Sequence, residues 1–106
     1  MSKFMRLIVF FDLPVGTKEE RREATRFRND LIKNGYYMVQ FSVYARLCNG
    51  VDSTFMHIAR LKTFAPKTGS IRCMSVTEKQ YASIYVVAGK KLKKEEPAQN
   101  IQMSFL

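Results

Sequence analysis

The stretch LIVFFDLPVGTKEERR sets an unbroken apolar run against Asp12, then a loop with Pro14 and Gly16, then a basic segment. A side chain at the tip of a central strand is held rigidly, and the loop after it leaves room for a ligand. A carboxylate there is costly unless it is solvated, paired or bound to a cation. Two jobs remain open for Asp12. One is structural, with the carboxylate paired to Arg21 or to a backbone amide. The other is to hold Mg²⁺, an ion that keeps several waters and often takes only one or two protein carboxylates, so that two copies of Asp12 facing each other in a twofold dimer suffice.

The second group with chemistry in it is cationic. At about 100° per residue, Lys18, Arg22, Arg26, Asn29 and Lys33 form one stripe along a helix, with Arg21 and Arg28 flanking its buried side and Glu19 and Asp30 as nearby counter-charges. Such a stripe is either a solvated face or a surface that contacts phosphates. Arg46, Arg72 and the Lys90 to Lys94 run are further cations that a polyanion would meet.

Other chemistry is thinly represented. The sequence has no glycine-rich phosphate loop, H-E-x-x-H or nucleophile elbow, and its single histidine, His57, lacks a carboxylate or thiol at ligand spacing and reads as a surface residue. Cys48 and Cys73 lie far apart without C-x-x-C spacing, which fits buried thiols in a reducing compartment. No apolar stretch approaches the roughly 20 residues of a membrane span, and the start MSKFMRL is too short and too quickly charged for a signal peptide. A cytoplasmic protein with no membrane attachment is expected.

Eighteen Lys and Arg against nine Asp and Glu give a formal charge of +9, so a nucleic-acid partner is favoured over a merely basic surface. The 106 residues, 46% of them hydrophobic, suffice for one small domain with a modest core. A partner that extends that core would help.

The elements that must position these groups follow from pattern. Phe4 to Phe11 is branched and aromatic and too short for a helix, which predicts a central strand buried on both faces and ending at Asp12. Thr17 and Glu20 have capping-box spacing, so a helix starts at about Thr17; Glu20, Ala24, Phe27 and Leu31 fall on its inner face and Asn34-Gly35 stops it. Tyr36 to Tyr44 reads as strand, bent or bulged into two segments around Gln40 to Val43.

A second helix is expected from about Asp52 to Ala65, burying Phe55, Ile58, Leu61 and Ala65 and leaving Met56, His57 and Phe64 on other faces. Ser70 to Val76 alternates as a half-buried strand, Glu78 to Ala82 is a turn or short helix, and Ser83 to Ala88 is a further strand closed by Gly89. This order predicts an α+β fold, a ferredoxin-like split βαβ sandwich whose antiparallel sheet carries two helices on one face. Residues 1–89 form that domain. Residues 90–106 are a basic linker and C-terminal tail, in which Ile101, Met103 and Phe105 alternate like a docking strand.

The order of IVFFDLP, EERREATRFRNDLIKNGY and VQFSVYARL resembles the small CRISPR-associated proteins of spacer acquisition, the Cas-two family, over about Met5 to Gly89. The resemblance implies a ferredoxin-like fold and a symmetric homodimer whose C-terminal strands complete the partner's sheet. It also implies a place beside the Cas-one integrase, as a ruler and backbone-binding platform for double-stranded DNA, the prespacer. Members have been credited with metal-dependent nuclease activity through an aspartate that matches Asp12, which would make Asp12 the catalytic and metal-binding residue. The phosphate-contacting residues expected here are Lys18, Arg21, Arg22, Arg26, Lys33 and Arg46. Two departures stand out: Tyr44 replaces the phenylalanine of many relatives, and the tail after Gly89 matches no pattern.

Two rivals remain beside the prespacer platform. One is a stand-alone Mg²⁺-dependent endonuclease, a DNase or an endoribonuclease of a toxin-like kind. The other is a single-stranded RNA reader of the RRM kind, echoed by Gly35-Tyr36-Tyr37-Met38-Val39-Gln40-Phe41. That echo fails on order, since the motif follows the first helix, and Tyr37 stands where a small residue is expected.

Overall fold

The computed structural model describes residues 3–97. Its elements run β1 (Met5–Asp12), α1 (Lys18–Lys33), β2 (Tyr37–Gln40), β3 (Val43–Cys48), α2 (Val51–Phe64), β4 (Ser70–Thr77) and α3 (Glu78–Ala82), with a 3-10 turn at Lys93–Glu95. The four strands form one sheet in the order β2-β3-β1-β4. Every neighbouring pair is antiparallel, with Val9 opposite both Tyr44 and Cys73. This is the expected α+β, ferredoxin-like split βαβ arrangement.

The core explains why these residues make these elements. Leu7, Val9 and Phe11 alternate along β1 and pack beneath Ala24, Phe27 and Leu31 of α1, with Tyr44 and Leu61 completing the layer. The Phe11 ring meets Phe27 edge-on, with centroids 5.1 Å apart, and stacks on Tyr44 at 5.8 Å. Thr17 and Glu20 form the capping box read from sequence, each side chain accepting from the other residue's backbone N–H. The β2–β3 join is irregular between Met38 and Gln40, and Ser42 turns the chain with a positive φ of 66°.

Several expectations are corrected. Instead of being buried along both faces, β1 is buried throughout only on its helix side, whereas on the other side Phe10 and Asp12 are exposed and Ile8 is half-buried. That side carries a fully buried charge, Arg6, covered by α3 and the segment after Leu92. Ser83 to Ala88 forms no strand. After Tyr81 the short α3 carries the chain away from the β4 ladder, and Tyr85 and Val87 stand 84% and 89% exposed. A β-prone sequence makes a strand only where an edge is offered to pair with.

The phase of α2 also differs from expectation. Leu61 and Ile58 pack on the core, and Thr54 and His57 complete that inward line, so the expected surface histidine is buried. Phe55, about 100° around the helix from Thr54, faces solvent at 63% exposure. Phe64, expected on another face, reaches the core instead, its ring centroid 5.8 Å from that of Phe27. Cys48 is buried and Cys73 half-buried, both as free thiols. The alternating segment Ile101 to Phe105 lies outside the described residues.

Candidate nucleic-acid interface and aspartate site

The capping box fixes where α1 begins, and with it the phase of the basic stripe. Ala24, Phe27 and Leu31 lock the inner face against the sheet, which turns the opposite face outward. Lys18, Arg21, Arg22, Arg26 and Lys33 come together there around one shallow groove, with Asp30 as the acid on its wall. Five of the six cations singled out from sequence therefore share one surface.

Arg26 is the most tied down of them. It donates to Glu23 at 2.7 Å and to Asp30 at 3.1 Å. Glu23 is a further counter-charge beside Glu19 and Asp30, and its bond to Arg26 holds its carboxyl below the usual range. The same bond raises the Arg26 guanidinium's pKa. Lys18, Arg21 and Arg22 have no ion pair among the described residues.

The sixth cation is elsewhere. Arg46 is half-buried on β3, donating to the Asn34 carbonyl at 2.5 Å and to the Leu47 carbonyl at 3.2 Å. It closes the C-terminal end of α1, where carbonyls lack helical partners, and is absent from the groove.

Asp12 ends the central strand, exposed, opposite Ser70 of β4. Gly69, the residue before Ser70, approaches the Asp12 backbone closely. A Cβ at Gly69, whose φ is +90°, would come within 2.7 Å of the Asp12 carbonyl oxygen. Arg21, the structural partner weighed for Asp12, donates instead to the Val15 carbonyl at 3.2 Å. No ion pair engages the Asp12 carboxylate among the described residues. Nor is any group of three His, Cys, Asp or Glu side chains placed to hold a metal ion among them. Asp12 thus offers a solvated carboxylate at this end of the sheet.

What sequence reading missed is on the opposite face of the sheet. Arg6 donates through Nε and Nη2 to Glu78 at 2.5 and 3.2 Å, and through Nη1 to the Tyr37 hydroxyl at 2.8 Å. Tyr37 donates to Tyr81 at 3.0 Å, and Tyr81 to the buried Glu95 at 3.1 Å. Burial pulls the Arg6 pKa down, but its bonds to Glu78 and Tyr37 outweigh this and leave it raised. Further bonds from Arg6 to the Lys94 and Glu96 carbonyls, at 2.6 and 2.8 Å, tie the end of the described chain to the sheet. An arginine inside an otherwise apolar strand run is the one signal that pointed here.

Comparison with known proteins agrees with this architecture. The family model described as "CRISPR associated protein Cas2" matches residues 5–84. A protein of Acidovorax ebreus named "CRISPR-associated endoribonuclease Cas2" is 46% identical over 100 residues, covering 94% of this chain and 98% of its own. Proteins of the same name from Campylobacter jejuni and Ligilactobacillus salivarius are each 44% identical, over 83% and 84% of this chain and 62% and 88% of their own lengths. No helix among the described residues is long and apolar enough to cross a membrane. The first strand ending in Asp12, the capped basic helix and the four-stranded sheet all fall inside the matched residues, and the chain belongs to the CRISPR-associated Cas2 family.

Proposed function

We propose that this chain is the DNA-binding subunit of CRISPR spacer acquisition: as a homodimer it binds the backbone of a double-stranded prespacer and serves as a platform for the Cas-one integrase. The observation that supports this best is the groove on α1, where five cations face one acid. Contacts of that kind go to phosphates and fix a duplex in place without reading its sequence. The homodimer is supported by the apolar side chains of Ile84 to Val87, which find no cover within the described chain and stand 37% to 89% exposed.

The test is charge reversal at Arg22 and Arg26. Each lost phosphate contact should lower the slope of log affinity against log salt by about 0.9. An unchanged slope in the double variant would reduce the groove to a solvated face.

A second reading is favoured by the exposed, unpaired carboxylate of Asp12 and by the endoribonuclease name its relatives carry. In it the protein is a Mg²⁺-dependent endonuclease. A carboxylate with no ion-pair partner among the described residues suits an ion that keeps most of its waters, so Asp12 from each of two copies would hold it. Bound there, Mg²⁺ would polarise a phosphoryl oxygen and lower the pKa of a bound water. The groove cations of α1 would hold the strand through its phosphates, and Gly69 would keep the Asp12 backbone in place. Cleavage of RNA or DNA oligonucleotides that requires Mg²⁺ and vanishes in Asp12→Asn would establish this activity.

A further inference from the structure

We infer that Phe41, backed by Arg28, is a stacking platform for an unpaired nucleobase at the Asp12 end of the sheet; this rests on the nucleic-acid-binding reading above and names a second kind of strand that the protein takes. Phe41 sits in the β2–β3 turn and is 73% exposed, the most solvent-exposed phenylalanine among the described residues. Its ring is not loose. The Arg28 guanidinium carbon lies 4.6 Å from the Phe41 centroid and 5.7 Å from that of Phe11, so a cation is held between two aromatic faces. Arg28 Nε is enclosed and has no hydrogen-bond partner among the described residues.

This arrangement fixes one face of Phe41 against a positive charge and leaves the other to solvent. An exposed aromatic face stacks on any base, because every base has a π-face, and a cation directly behind the ring attracts the phosphates that flank a stacked nucleotide. Position supports the same occupant. The Phe11 N–H donates to the Ser42 carbonyl at 3.1 Å, which ties the residue before Asp12 to the residue after Phe41. Arg28 lies one helical turn beyond Thr25, which lines the cationic groove of α1, so the platform borders that groove. A base within a duplex is already stacked on both sides and cannot use it, so the ligand is a single-stranded segment or an unpaired end.

The chain contains no tryptophan, so Phe41→Trp places a single fluorescent reporter at the platform. Short oligothymidylate, oligouridylate and a blunt duplex are the probes, with affinity followed by anisotropy of a label on the nucleic acid. Quenching of the indole emission of Phe41→Trp by either single strand is the expected result, and comparison of the two shows whether the site prefers DNA or RNA. In a second variant, Phe41→Leu, single-strand affinity should fall by about 5- to 150-fold, the worth of one stacked base, while blunt-duplex affinity stays as it was. Saturating single-strand binding with unaltered indole emission, or a Phe41→Leu protein that binds single strands as tightly as the native chain, would overturn the inference and leave duplex binding standing. Failure of the native protein to bind any of the three probes would overturn both.

Discussion

Arg6 and Glu78 form a salt bridge of 2.5 Å, Nε to Oε1, with side chains only 1% and 9% exposed. The pair joins the central strand to the start of α3, 72 residues later. Removing one member leaves the other charge in a site with little water. Arg6→Ala should therefore cost about 3 to 5 kcal/mol in chemical denaturation, while a double change of both residues to methionine should recover only part of that loss, because the Tyr37 hydroxyl and the Lys94 and Glu96 carbonyls still lose their donor. A single Arg6→Ala cost below about 1 kcal/mol would mean that water reaches Glu78 readily.

Why Arg6 escapes notice shows what a sequence can and cannot reveal. The run around it is apolar, its partners lie on α3 and in the segment near Lys94, and nothing local announces a pairing over such separation. The features that are legible are short-range. The Thr17–Glu20 capping box, the inward line of Ala24, Phe27 and Leu31, and the end of β1 at Asp12 each follow from residues a few positions apart. The phase of α2 is not legible in the same way, because its inward line mixes Thr54 and His57 with Leu61, and hydrophobicity points to Phe55 instead. Sequence groups Arg46 with the groove cations on charge alone, and the structure takes it out of the groove, because the Asn34 carbonyl that accepts from it is not visible in a sequence.

Gly69 should tolerate no side chain. Its positive φ and the 2.7 Å approach of its would-be Cβ to the Asp12 carbonyl put strain on any replacement, and backbone on the other side cannot move aside as a flexible side chain would. Gly69→Ala is expected to cost about 1 to 3 kcal/mol and to shift the backbone resonances of Asp12 and Leu13. Unperturbed resonances there would show that the loop yields and that Gly69 does not hold the aspartate.

His57 gives the fold a pH dependence. It is 7% exposed, and burial, followed by the charges of Arg46 and Arg60, holds its pKa below the ordinary 6.5. Because the unfolded chain takes up the proton first, the stability linked to His57 is fully present above about pH 6.5 and is lost as pH falls through the lower folded value. The melting temperature should drop over that range, and His57→Gln should flatten the drop. An identical profile in the variant would assign it to other groups.

Arg46 and Lys33 separate folding from binding. Arg46→Ala loses the bond to the Asn34 carbonyl and the guanidinium packed 2.8 Å from the Gly35 Cβ position. The expected result is about 2 kcal/mol of lost stability with no change in the salt dependence of duplex binding. Lys33→Ala should do the reverse, leaving stability within about 0.5 kcal/mol and lowering the salt slope by about 0.9. A salt slope that falls in Arg46→Ala would move the DNA onto β3.

Asp12→Asn separates the jobs open to that carboxylate, since asparagine keeps the shape and removes the charge. A buried ion pair at Asp12 would make the change expensive, but the side chain is exposed and Arg21 is engaged elsewhere. Stability should therefore move by no more than about 0.5 kcal/mol. Duplex affinity should stay the same or tighten, because a negative charge near phosphates is gone. Any Mg²⁺-dependent cleavage should disappear, whereas spacer integration with the Cas-one integrase should survive if the chain acts as a platform. The decisive measurement is an integration assay with the variant purified as a folded protein that still assembles with the integrase. Product at the native level would place the carboxylate outside the essential chemistry. Normal assembly without product would make Asp12 part of that chemistry, and the platform reading would have to give way to a catalytic one.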